Sequence, residues 1–193
     1  MISRVADRVT ERLVADSIIE ESDKALYSYG FFLIISRFYF FLVTVLAGFL
    51  NDVLCESLVF YVAFMFLRTY AGGIHAKTEI ACTILTSIVL VASVFLIKIM
   101  VRTNNNGACF LMFLIGSLPV FLFAPLDSKD KPVTHQERIA YRFFCNLLLM
   151  FFWVIFIFAQ ILSHNTVCYA ISISIGLEGT LICIGKISNQ NNK

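Results

Sequence analysis

The chain has 193 residues, 59% of them hydrophobic and 15% charged, with a mean hydropathy of +0.84. A water-soluble domain carries about 45–50% apolar and about 25% charged residues, so the composition excludes an ordinary soluble protein and points to a bilayer as solvent. The formal net charge is only +2 and no Lys/Arg-dense block occurs, which argues against a nucleic-acid partner.

The N-terminus is charged with mixed sign rather than basic and then apolar, so no cleavable signal peptide is expected. Within residues 1–28, Ile2, Val5, Ala6, Val9 and Leu13 recur at helical spacing, with Arg4, Arg8, Arg12, Asp7 and Glu11 between them. This predicts an amphipathic helix lying along the membrane surface or packed on the spans. Its acidic continuation, residues 16–23, belongs in water, and a peptide-docking role for the segment is open.

Apolar runs follow at 30–50, 53–70, 80–101, 107–124, 143–162 and 166–185. A span needs about 20 predominantly apolar residues. The expected fold is therefore all-α: a polytopic membrane protein of about six transmembrane helices plus the N-terminal amphipathic helix, forming one integral membrane domain over 1–193. The second run is short and contains Glu56, so a re-entrant segment is an alternative there. In the third, Lys98 can snorkel to the interface. Gly116 and Pro119 are expected to bend the fourth. Thr134-His135-Gln136-Glu137 has the capping-box pattern, predicting a helix from His135 through the fifth run. The sixth is rich in small residues and carries Glu178. The polar end of the chain, 186–193, is expected to fray.

With six spans, twelve Lys and Arg residues fall on the side of the termini and one, or two with Lys98, on the other. By the positive-inside rule both termini, and the polar segments around 68–79 and 125–142, are expected in the cytoplasm. Arg37, Glu56 and Glu178 lie in apolar runs, where an ionisable group asks for a partner or a function; a buried pair between Arg37 and a glutamate is one answer. His135 and His164 sit at span boundaries and read as interfacial.

Six cysteines (55, 82, 109, 145, 168 and 183) occur singly, without a C-x-x-C pair or metal-ligand spacing, so neither a metal nor a cofactor is expected. Five lie in apolar surroundings, where a reduced cysteine acts as a small hydrophobe. Cys82, beside polar residues at the start of the third run, is the exception. The segment before it holds Gly72-Gly73, His75 and Glu79. A thiol attacks as thiolate, and a histidine within reach can take its proton and later protonate a leaving amine. In one continuous helix, residues seven apart are separated by about 10 Å at about 1.5 Å rise per residue. A direct His75–Cys82 pair thus requires the backbone to fold back, for which the glycine pair supplies freedom. With Thr78 as N-cap, Cys82 would occupy the fourth helical position, near the positive end of the helix dipole, which favours a thiolate. An ordinary loop with a chance histidine and a buried cysteine is the competing reading of the same residues.

The set Arg68-x-x-x-Gly72-Gly73-x-His75-Ala76 followed by Cys82 resembles the hallmark of the accessory gene regulator B (AgrB) family, membrane cysteine endopeptidases of bacterial peptide quorum sensing. Ala124-Pro125, Lys131-Pro132, Glu137-Arg138 and Arg142 resemble that family's cytoplasmic loop after the fourth span. The resemblance covers essentially the whole chain. It implies that Cys82, with His75 as base, cleaves a short AgrD-type propeptide and holds the acyl group as a thioester. A cysteine or serine within the peptide then closes a thiolactone or lactone ring. Arg68 matches the family's arginine and either holds a peptide carboxylate or braces the loop; Glu79 either orients His75 or is a solvated loop carboxylate. Lys129 and Lys131 are candidates for attracting an acidic peptide end, although the positive-inside pattern explains them equally. The implied partners are the propeptide and the bilayer, with a homodimer open.

A small transporter or channel is the main alternative, but no two halves show matching broken helices. A paired-glutamate membrane peptidase would need more than Glu20-Glu21, which lies outside the spans. A non-catalytic peptide-binding subunit would make Cys82 dispensable.

Overall fold

A computed structural model of the chain describes residues 2–72, 78–126 and 134–190. Among the described residues there are seven α-helices: α1 (Ile2–Ala15), α2 (Lys24–Leu50), α3 (Leu54–Ala71), α4 (Glu79–Thr103), α5 (Asn106–Phe123), α6 (His135–Ile161) and α7 (Asn165–Gln190). A single 3-10 turn, Glu21–Asp23, leads into α2. Helices α2 to α7 supply six segments long and apolar enough to cross a bilayer. Even α3 and α5, with 18 residues each, extend about 27 Å at about 1.5 Å per residue. The protein is thus an all-α polytopic membrane protein. Its outward faces agree: Leu26, Phe49, Leu50, Met150 and Ile161 are each at least 68% exposed, a surface that lipid rather than water must cover.

The bundle is built around α7. Two thirds of its apolar window, 67%, is buried, against 17–39% for the other five spans. It packs on α3, α4, α5 and α6, and residues 168–176 are buried on every side. Small residues allow the approach. A Cβ on Gly116 of α5 would lie 2.6 Å from the Gly176 Cα, and one on Gly179 would lie 2.5 Å from the Gly116 carbonyl oxygen. Backbones meet there directly, as in membrane interfaces that rely on van der Waals contact. Gly116, expected as a bend, is a point of helix contact.

Turns at one end of the bundle are held by polar side chains. Asn51 Nδ2 donates to the Ala47 carbonyl at 2.8 Å, and Lys98 Nζ donates to Asn51 Oδ1 at 3.1 Å. The Tyr169 hydroxyl lies 2.9 Å from Asn104 Oδ1 and 2.7 Å from Asn106 Oδ1. At the opposite end are α1, the start of α2, the junctions α3–α4 and α5–α6, and the C-terminal part of α7. There the Lys186 ammonium sits 3.2 Å from the centre of the Phe123 ring. Of the two placements open to α1, the structure has it packed on α2. Ala6 and Thr10 are buried, while Val5 and Val9 remain exposed; Ser28 Oγ of α2 donates to Asp7 Oδ1 at 2.6 Å.

Candidate active site at the junction of α3 and α4

Helix α3 ends at Ala71 because Gly72 leaves the helical region with φ +71° and ψ −160°, a conformation that costs glycine little. Gly72 forms a parallel bridge with Leu126, whose N–H donates to the Ala71 carbonyl at 2.9 Å. A Cβ at position 72 would lie 2.5 Å from the Leu126 carbonyl oxygen. The α3–α4 and α5–α6 junctions are therefore stitched together at this point.

Arg68, one turn earlier, ties the junction to the central helix. Its Nη1 donates to the Gly72 carbonyl at 2.9 Å and lies 3.4 Å from Glu178 Oε1 of α7. The Glu178 side chain is completely buried and that of Arg68 is 22% exposed. These contacts tie Arg68 to the end of α3 and to α7. They also correct the expected partner of Arg37. That side chain donates from Nη2 to Thr69 Oγ1 at 3.2 Å, and the buried glutamate pairs with Arg68. Helical position explains why: Arg68 lies in the last turn of α3, at the same end of the bundle as the C-terminal half of α7. Glu56 lies in the first turn of α3, where a carboxylate is favoured by the helix dipole.

On the other flank, Thr78 caps α4, its Oγ1 accepting from the Ala81 N–H at 3.3 Å. The Cys82 N–H donates to the Thr78 carbonyl at 3.0 Å, so the sulfur belongs to the fourth residue of α4 and is half-buried. Glu79 opens the helix. Its carboxylate accepts from the Ser3 N–H at 3.0 Å and from Ser3 Oγ at 2.6 Å, linking the start of α1 to the first turn of α4. The six cysteines are all described and none is in a disulfide; Cys109, Cys145 and Cys168 are fully buried. Gly73, His75, Lys129 and Lys131 lie outside the described residues. Among the described residues, no group of three His, Cys, Asp or Glu has metal-binding geometry.

The structure thus joins Arg68 to Gly72 directly and places Glu79 and Cys82 on the opening turn of α4. Two participants carry no local signature in the sequence: Leu126, which meets Gly72 through its backbone, and Ser3, which caps Glu79 from 76 residues away. Glu178 did carry a signal, an acid in an apolar helix, but its partner depended on which helix ends meet.

Known proteins resemble the chain over most of its length. The pattern of the family described as Accessory gene regulator B matches residues 6–182. A protein of Clostridium perfringens described as AgrB-like is 27% identical over 143 residues, which span 72% of this chain and 67% of that one. AgrB-like proteins of Lactiplantibacillus plantarum and Halalkalibacterium halodurans are 24% and 25% identical, covering 94% and 100% of this chain and 89% and 93% of their own. No solved structure matches. The family pattern runs from α1 into the last turns of α7 and includes the whole α3–α4 junction, and the chain belongs to the Accessory gene regulator B family as a multi-pass membrane protein of the accessory gene regulator system.

Proposed function

We propose that the chain is a membrane-embedded cysteine endopeptidase that cleaves a short AgrD-type propeptide and closes the released acyl segment into a ring. The observation that carries this reading is the position of Cys82. It is a half-buried thiol on the opening turns of a Thr78-capped helix, directly after a segment that contains a histidine and is anchored at Gly72. Helix N-termini favour the thiolate that such chemistry needs.

In the proposed reaction His75 takes the Cys82 proton and the sulfur attacks a peptide carbonyl. Collapse of the tetrahedral adduct breaks the C–N bond, the amine leaves with the proton held by His75, and the acyl group stays on Cys82 as a thioester. An internal cysteine or serine of the peptide then attacks that carbonyl. Its proton passes through His75 to the departing Cys82 sulfur, which restores the enzyme and closes a thiolactone or lactone. Thioester exchange is nearly balanced in energy, so the ring forms only where water is kept from the acyl-enzyme; a site walled by apolar helices provides that exclusion. Glu79 is held by Ser3 and serves to orient the start of α4, while Lys129 and Lys131 attract the acidic end of the peptide. The end of the bundle that carries Cys82 faces the cytoplasm, where a newly made peptide arrives.

Co-expression with the propeptide and mass spectrometry of the products test the proposal. Cys82→Ala and His75→Ala are expected to abolish both cleavage and ring formation. Cys55→Ala and Cys168→Ala are expected to leave them intact. Normal cleavage by the Cys82→Ala protein would end the reading.

A further inference from the structure

Arg4, Arg8 and Arg12 of α1 are all exposed. At 3.6 residues per turn, residues four apart differ by only about 40° around a helix, so the three form one stripe. Val5 and Val9, also exposed, adjoin it, and the five side chains together cover about 140° of the helix surface. The side opposite Arg8 carries Ala6 and Thr10, which are buried. The carboxylates of α1 belong to another flank, where Asp7 and Glu11 line the cleft between α1 and the start of α2.

Water alone suits neither part of this face. Like charges four residues apart repel along a helix, and among the described residues none of the three arginines is in an ion pair. The two valines beside them expose apolar surface that burial would favour. A negatively charged surface with an apolar layer beneath it satisfies both, the arginines meeting the charge and the valines entering below. The depth of α1 identifies that surface. Asp7 accepts from Ser28 Oγ of α2, and Ser28 stands between Tyr27 and Tyr29, both exposed. Exposed tyrosines at the start of an apolar span sit at the level of the lipid headgroups, and the Ser28 contact brings the middle of α1 to that level. Ser3, bonded to Glu79 in the first turn of α4, holds the start of α1 at the beginning of a second span.

We propose that the Arg4, Arg8 and Arg12 face of α1 is a docking surface for anionic phospholipid headgroups, with Val5 and Val9 seated in the adjoining apolar layer. Each basic side chain near an anionic leaflet adds to the attraction, so the lipid holds α1 from one side as α2 holds it from the other. Docking of this kind is independent of the peptidase reading.

The full-length protein is placed in nanodiscs, and hydrogen–deuterium exchange is followed by peptide mass spectrometry. One set of discs is phosphatidylcholine alone; the other contains about one third phosphatidylglycerol. Amides of α1 are expected to exchange at least about fivefold more slowly in the anionic discs, because the lipid binds only the docked helix. About 1 M NaCl, which shortens the Debye length to about 3 Å, is expected to remove the difference. Residues 168–176 of α7, buried on every side, should exchange alike in all discs. The triple variant Arg4→Gln, Arg8→Gln, Arg12→Gln is expected to lose the lipid dependence, whereas the triple Lys variant keeps the charge and at least about half of the protection. Equal exchange of α1 by the unmodified protein in the two kinds of disc would overturn the proposal. Protection that survives in the Gln variant would overturn it as well. So would protection that survives high salt in the unmodified protein, a result that decides even if the Gln variant no longer folds α1.

Discussion

A methyl group at position 72 would have to sit 2.5 Å from the Leu126 carbonyl oxygen, on a backbone with φ of +71°. Left-handed geometry alone costs a non-glycine residue about 1–3 kcal/mol, and a contact that short is with backbone, which cannot swing aside. Gly72→Ala is therefore expected to break the bridge to Leu126, release the Arg68 contact with the Gly72 carbonyl, and lower propeptide cleavage at least about tenfold. Gly107→Ala is the control, because a Cβ there meets only Asn105 Oδ1 at an ordinary 3.7 Å. Equal cleavage by the two variants, at matched membrane abundance, would show that the junction tolerates a different path. From sequence, the glycine pair reads as freedom for the chain to fold back. The requirement at Gly72 is narrower, one dihedral and one neighbour. That neighbour is 54 residues away and contributes through its backbone, so no side-chain pattern announces it.

At the level of helices, what the sequence reveals divides along a physical line. Caps are local: Thr78 and Thr134 are recognisable from spacing, and the side-chain oxygen of each accepts from a backbone N–H three residues on. Burial is not local. Helix α4 has the highest mean hydropathy of the six spans, 2.7, yet only 22% of its window is buried, whereas α7 at 1.8 is 67% buried. In lipid an apolar side chain gains little by moving from acyl chains to protein, so hydropathy marks a span without saying how central it is. Small residues carry that information instead, and in α7 they permit the backbone contact with α5. Gly116→Leu should consequently push α5 off α7, with a cost of about 1–3 kcal/mol or more for overpacking. The expected result is a lower thermal midpoint in detergent, with Cys109 and Cys168 becoming accessible to maleimide at temperatures where the unmodified protein still protects them. An unchanged midpoint and continued protection would mean that the two helices can separate without disturbing the core.

Considered whole, the bundle places its two ends under different chemistry. One end is closed by short turns in which Asn51, Asn104 and Asn106 bind Lys98 and Tyr169. The other gathers α1, the pinned Gly72–Leu126 junction, the Cys82 turn and the Lys186 end of α7. Twelve of the fifteen Lys and Arg residues belong in sequence to the two termini and the segments around 68–79 and 125–142, and by the positive-inside rule we propose that this second end faces the cytoplasm. Cys55, exposed in the first turn of α3, and Cys82, in the opening turns of α4, lie at opposite ends and so form a built-in pair of reporters. In single-cysteine variants expressed in intact cells, a membrane-impermeant maleimide is expected to modify Cys55 and to reach Cys82 only after the membrane is opened. Labelling of Cys82 from outside, with Cys55 protected, would invert the orientation and place the proposed site beyond reach of a peptide made in the cytoplasm. Labelling of both from outside would instead mean that α3 does not cross, because the two residues are separated by one passage of that helix.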